Sequence, residues 1–182
     1  KKAALAIKNR IAPMKENDLA FIRNKIDVLF EGSDLAKTHE FKQHRGTSRL
    51  WHSIAVSYYS YYLCKAFHIK CSMDELVVGA LLHDYYLYDW RDIENHARCH
   101  AQVHPEASLA NAQQAFDLTP KEEDIIRKHM FPMTVTPPAY KESVIVCLMD
   151  KICAIYEFCS KKNTYKGIIE RMHGSRAAKE CV

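Results

Sequence analysis

Apolar residues recur every three or four positions along most of this chain, and strict alternation is rare. That period puts apolar side chains on one face of a helix, whereas a half-buried strand would alternate. Leu19, Ile22, Ile26 and Leu29 predict a first helix over 18–30, broken at Gly32-Ser33-Asp34. Residues 38–47 are polar and predict a loop or short helix, followed by a long helix from about 48 to 67. Ser72 and Glu75 have the spacing of a capping box, ahead of a helix carrying Leu76, Val77, Ala80, Leu81 and Leu82. Residues 85–99 are aromatic and charged and look irregular. Pro105 is expected to open the next helix, because proline is accepted at the first helical position. Thr119-Pro120 with Glu122 signals another start, for a helix reaching Met130. Pro132, Pro137 and Pro138 predict a stiff connection before a long helix over 140–159. The tail from Ser160 is basic, weakly patterned and expected to be solvated. The fold class is therefore all-α, a bundle of about six or seven helices.

Composition narrows the function classes. The chain has 182 residues, 48% of them apolar and 26% charged, an ordinary globular profile. One domain is expected: a helical segment over 1–44 packing on a core over 45–160, with a tail over 161–182. The formal charge of +4 is mild and does not argue for nucleic acid. The seven cysteines are odd in number and include no CxxC pair, which argues against a disulfide framework or a zinc knuckle. Cys147 and Cys153 fall in an apolar helical run and read as packed thiols. No stretch approaches the roughly 18 apolar residues of a membrane span. Lys8 and Arg10 interrupt the alanine-rich start, unlike a signal peptide. The expected setting is cytoplasmic, with no membrane partner.

Five ionisable residues fall on apolar helical faces. His52 aligns with Ala55, Val56, Tyr59 and Leu63, and His83 with Leu76, Gly79 and Ala80. Asp84 aligns with Val77, Ala80 and Leu81, and Asp150 with Val146, Cys147, Cys153 and Ala154. His129 follows Ile125 and Ile126. A carboxylate facing an apolar interior is costly unless it is paired or binds a metal. A lone inward histidine is more often a hydrogen-bonded core residue than a ligand. The adjacent pair His83-Asp84 is more informative, because imidazole nitrogen with carboxylate oxygen suits Fe, Mn, Zn, Ni or Co.

The order His52, His83-Asp84, Asp150 resembles the HD superfamily of metal-dependent phosphohydrolases, whose signature is H…HD…D on separate helices. "RLWHSIAVS", "ELVVGALLHD" and "VIVCLMDKICAIYE" resemble the three helices that carry those residues, over about residues 45–160. His104 in "HPEASLANA" and His129 in "EEDIIRKHMFP" fall where binuclear members place two further histidines. The resemblance implies one metal held by His52, His83, Asp84 and Asp150. It implies a second held by His104, His129 and a bridging Asp84. Two divalent transition-metal ions are thus implied, Fe or Mn foremost, with Zn, Ni, Co or Mg as alternatives. Two departures stand out. The Lys that some HD hydrolases carry shortly after HD is missing from "HDYYLYDW", and there is no Gly-Tyr-Pro of the cyclic-dinucleotide phosphodiesterases. The layout is closer to small stand-alone binuclear members.

The implied reaction is hydrolysis of a phosphoester or phosphoanhydride. The substrate would be a nucleotide or another small phosphorylated molecule, attacked by metal-activated hydroxide. Asp84 is the catalytic candidate, bridging the metals and positioning or deprotonating the water. Arg49, Arg91, Lys128 and Lys151 are candidate substrate cations, although each is more commonly a plain surface charge. Tyr85, Tyr86, Tyr88 and Trp90 either stack on a base or pack the helix corner. The same ligands suit a di-iron oxygenase or a non-catalytic metal-containing sensory protein, and the residues leave those readings open. An oligomer is compatible with the composition.

Overall fold

A computed structural model describes residues 14–43, 46–89, 100–160 and 165–172. Among them the regular structure is helical: α1 (Glu16–Gly32), a 3-10 turn (Leu35–Glu40), α2 (Arg49–Ala66), α3 (Met73–Leu82), α4 (His100–Ala115), α5 (Pro120–Lys128), α6 (Lys141–Cys159) and α7 (Lys166–Arg171). Among the described residues the one β-type contact is an isolated bridge between Lys42 and Ser48. No helix among the described residues is long and apolar enough to cross a membrane.

Helix α3 is the hub. Leu76, Val77, Gly79, Ala80, Leu81 and Leu82 are all buried, as expected of a helix that is apolar all round. It packs against α1, α2, α4, α5 and α6. Its approach to α5 depends on Gly79. A Cβ there would lie 2.6 Å from Ile125 Cδ1 and 2.9 Å from both Ile125 Cβ and Cγ2.

Local signals set the other ends. Ser48 caps α2, its Oγ accepting from the Trp51 N–H. The chain turns back just before it, through Gly46 at φ 89°, a conformation that favours glycine. Thr119 and Glu122 form the expected capping box of α5.

Three expectations need correction. Ser72 does sit at the N-cap of α3, but its side chain caps nothing, and its N–H donates instead to Glu142 Oε1 of α6. Helix α4 starts at His100, so Pro105 lies inside it rather than at its first position. The tail is not simply solvated: Tyr165, Ile168, Ile169 and Met172 are buried, and the Tyr165 hydroxyl donates to the Cys153 carbonyl.

Gly79→Ala is expected to destabilise the fold by about 1–3 kcal/mol, because Ile125 and the α5 backbone must shift to admit a methyl group. Urea unfolding followed by circular dichroism checks this.

Candidate metal centre

Five helices deliver six side chains to one buried volume. His52 comes from α2, Asp150 from α6 and His104 from α4. His83 and His129 are the C-cap residues of α3 and α5, and Asp84 follows His83 directly. None of the six is more than 8% exposed. Their ligand atoms form two triads, His52–His83–Asp150 and Asp84–His104–His129, each with its atoms within 4.8 Å of one another. Asp84 joins the two. Its Oδ2 lies 3.7 Å from His83 Nε2, while its Oδ1 lies 3.3 Å from His104 Nε2 and 3.6 Å from His129 Nε2.

The ring orientations have definite causes. His83 Nδ1 is 2.7 Å from the Ala80 carbonyl, and His129 Nδ1 is 2.7 Å from the Ile126 carbonyl. Each ring thus donates to its own helix three residues back, and the neutral tautomer turns a bare Nε2 into the site. His52 is held differently: Nδ1 is 2.6 Å from Glu157 Oε1, and Nε2 is 3.0 Å from Asp150 Oδ1. Gln43 Nε2 donates to Asp84 Oδ2 at 2.5 Å.

The electrostatics follow from this packing. Burial by itself would raise the Asp84 carboxyl, but the His83, His104 and His129 rings overturn that and hold it well below its ordinary value. Burial likewise opposes ionisation of Asp150, and His52 and His83 pull it down. Burial works against a charged His52, yet Glu157 and Asp150 raise it well above the usual imidazole range. Burial, with the neighbouring His83 and His104 rings, lowers His129 to about 3. The site therefore offers ionised carboxylates and a neutral His129, states that ligate cations, while a cation taking His52 and His83 would displace the protons that their acidic neighbours favour on them.

Two atoms test whether a cation fits. Among the described residues, His83 Nε2 and Asp84 Oδ1 are buried without a hydrogen-bond partner. His104 Nε2 and His129 Nε2 also face each other at 2.8 Å. Unpaired acceptors in a closed interior are unfavourable, and a cation among them supplies what they lack. The donor set, imidazole nitrogen with carboxylate oxygen, suits a divalent transition metal.

The substrate candidates divide. Arg49 is placed otherwise than expected: it is fully buried, and its Nη1 and Nη2 donate to the Tyr86 and Tyr88 carbonyls at 2.6 and 3.2 Å. Its guanidinium lies 3.4 Å from the Tyr86 ring centroid, so it clamps the segment after Asp84 rather than facing outward. Lys128 Nζ is paired with Asp124 of its own helix at 2.5 Å. Lys151 stays near the site. Its Nζ donates to the His129 carbonyl at 2.6 Å and lies 3.8 Å from Asp150 Oδ2. Arg91 and Trp90 lie outside the described residues. Tyr85 and Tyr86 are buried and pack the corner, with Asn111 donating to the Tyr85 carbonyl.

Sequence reasoning missed Gln43 and Glu157. Glu157 carried a readable signal, since it lies seven residues, two helical turns, beyond Asp150 and shares its face. Gln43 carried none, because a turn outside the helices brings it in.

With this geometry in view, the comparison with known families is specific. A family model described as the HD domain matches residues 49–155, more than half of the chain. The chain belongs to the HD-domain family. Its class, metal-dependent and all-α, agrees with the buried His/Asp clusters and the helical architecture. No curated protein and no solved structure gave a significant match.

Glu157→Gln removes the charge that orients His52 while keeping the shape. It is expected to weaken metal retention about 10–100-fold. Metal content after dialysis against graded chelator reads this out.

Proposed function

We propose that the chain is a phosphohydrolase that works with two divalent transition-metal ions, Fe or Mn foremost. Its substrate would be a small phosphorylated molecule such as a nucleotide, cleaved at a phosphoester or phosphoanhydride bond. The observation that carries the reading is the pair of buried triads joined through the two oxygens of Asp84. With Asp84 shared, four protein ligands on one ion and three on the other would leave positions for water and substrate. His52, His83 and Asp150 would hold one ion, His104 and His129 the other, with Asp84 between them. Two ions held side by side acidify water and neutralise charge on a transferring phosphoryl group.

The chain's own residues do the rest. Gln43 fixes the rotation of the Asp84 carboxylate, and the Ala80 and Ile126 carbonyls fix the rings of His83 and His129. Arg49 holds the Tyr86 and Tyr88 backbone beside the site. Lys151, adjacent to Asp150 and 30% exposed in its side chain, would meet substrate charge only by giving up its bonds to the His129 and Cys147 carbonyls. Arg49 and Lys128 are withdrawn from that role by their partners.

A second reading has an observation of its own. Each triad is two histidines and one carboxylate, a set that also suits ferrous iron in oxygen chemistry. Turnover coupled to oxygen consumption, without phosphate release, would establish that reading instead.

Protein purified without added metal is expected to carry about two equivalents of transition metal. His104→Ala or His129→Ala should lower that to about one and abolish phosphate release from a nucleotide panel. Elemental analysis alongside a phosphate assay decides it. Metal-free protein whose melting is unchanged in His83→Ala would sink the two-metal reading.

A further inference from the structure

Helix α6 buries one face and leaves an apolar face exposed. Its inner face carries Asp150, Cys153 and Glu157 into the bundle. Past Lys141, every exposed position on its outer face is also apolar: Val144, Leu148, Ile152, Ile155, Tyr156, Phe158 and Cys159. The first six are between 48% and 65% exposed. A bundle helix normally gives its outer face to charged and polar residues, and one that is apolar all round is normally covered. Met133 and Val135, in the connection leading into α6, are exposed as well, at 60% and 94%. Contiguous apolar surface of this extent marks a contact site.

We infer that this face is the interface of a two-fold symmetric dimer, with α6 packed antiparallel against α6 of a second copy. Three observations select a second copy as the occupant. The first is area. On the order of 80–100 Å² of accessible surface for each of the first six side chains gives roughly 500–600 Å² per copy, close to the ~600 Å² per partner at the lower end of stable interfaces.

The second is self-complementarity, which a two-fold contact requires because the same patch meets itself. Val144, Leu148, Ile152 and Tyr156 form a row spaced by four, a ridge that packs into the equivalent groove of another helix. A two-fold axis at the level of Asp150 sets Val144 opposite the partner copy's Tyr156 and Leu148 opposite its Ile152. Small then faces large at the ends and equal volumes meet at the centre.

The third is charge. The row itself carries none, and Lys151 beside it turns its ammonium to the His129 and Cys147 carbonyls, so two copies meet there with little like-charge repulsion despite a formal charge of +4 on each. The same lack of charge disfavours an anionic lipid surface, which selects helices rich in Lys and Arg beside the apolar face. Residues 1–13 include Leu5, Ile7 and Ile11 and are the competing cover.

The test is the mass of the full-length protein by light scattering and sedimentation from low to high micromolar concentration. The wild type is expected to be a dimer. Leu148→Glu and Ile152→Glu should each weaken it about tenfold or more, because each places two like charges against the two-fold contact. Both sites are half exposed, so the helical circular dichroism and the metal content should stay as in the wild type. Should either Glu variant unfold, Ile152→Ser replaces it, with a smaller shift in the same direction. A wild type that is monomeric throughout overturns the inference, as it would be if residues 1–13 cover the row. So does a dimer that persists in both Glu variants, or binding to anionic vesicles by a monomer that these variants abolish.

Discussion

The carboxylates of Asp84 and Asp150 lie where almost no water reaches them, and the surrounding structure answers to that. An ionised group without solvent must find charge or donors nearby, or give up its charge. Here four imidazoles surround the two acids, and the acids remain ionised because those rings are there. The rings in turn crowd one another, which is why His129 resists protonation while His52, backed by Glu157, accepts it. Two buried atoms of the cluster, His83 Nε2 and Asp84 Oδ1, have no hydrogen-bond partner, and a cation beside them would satisfy both.

The fold meets that demand largely with helix ends. His83 and His129 occupy equivalent positions, each just past the last turn of its helix and each bonded back to its own carbonyl. The same bond satisfies an otherwise open helix terminus and aims the ring. Because Gly79 lets α3 and α5 approach so closely, the two ends arrive side by side, with the ring centroids of His83 and His129 4.9 Å apart. Helix α6 works through its middle instead, projecting Asp150 and, two turns later, Glu157 into the same interior. The site thus depends on helix spacing as much as on the ligands.

Much of this was legible in the sequence, for a physical reason. Helical periodicity assigns a face to each residue, and an acid or imidazole on an apolar face stands out. His52, His83, Asp84 and Asp150 were readable that way, and His129 partly so. His104 was not, since its helix starts five residues before the proline that seemed to open it; the resemblance to a family supplied it. Partners brought in by tertiary packing stayed hidden. Nothing local links Gln43 to Asp84, 41 residues away, or Ser72 to Glu142. Arg49 misled in the opposite sense: an arginine near a candidate phosphate site invites a substrate role. Only the packing shows it stacked on Tyr86 and bonded to two backbone carbonyls.

That placement of Arg49 has a bearing on ionic strength. Surface ion pairs loosen as salt rises, while fully buried contacts are screened far less. The segment following Asp84 is fastened from beneath by a guanidinium with no exposed surface, through carbonyl oxygens and an aromatic face. Rising salt should therefore weaken the exposed ion pairs of this protein while the segment after Asp84 keeps its place. Two classes of charged contact, one open to solvent and one closed to it, thus answer differently to the same change of medium.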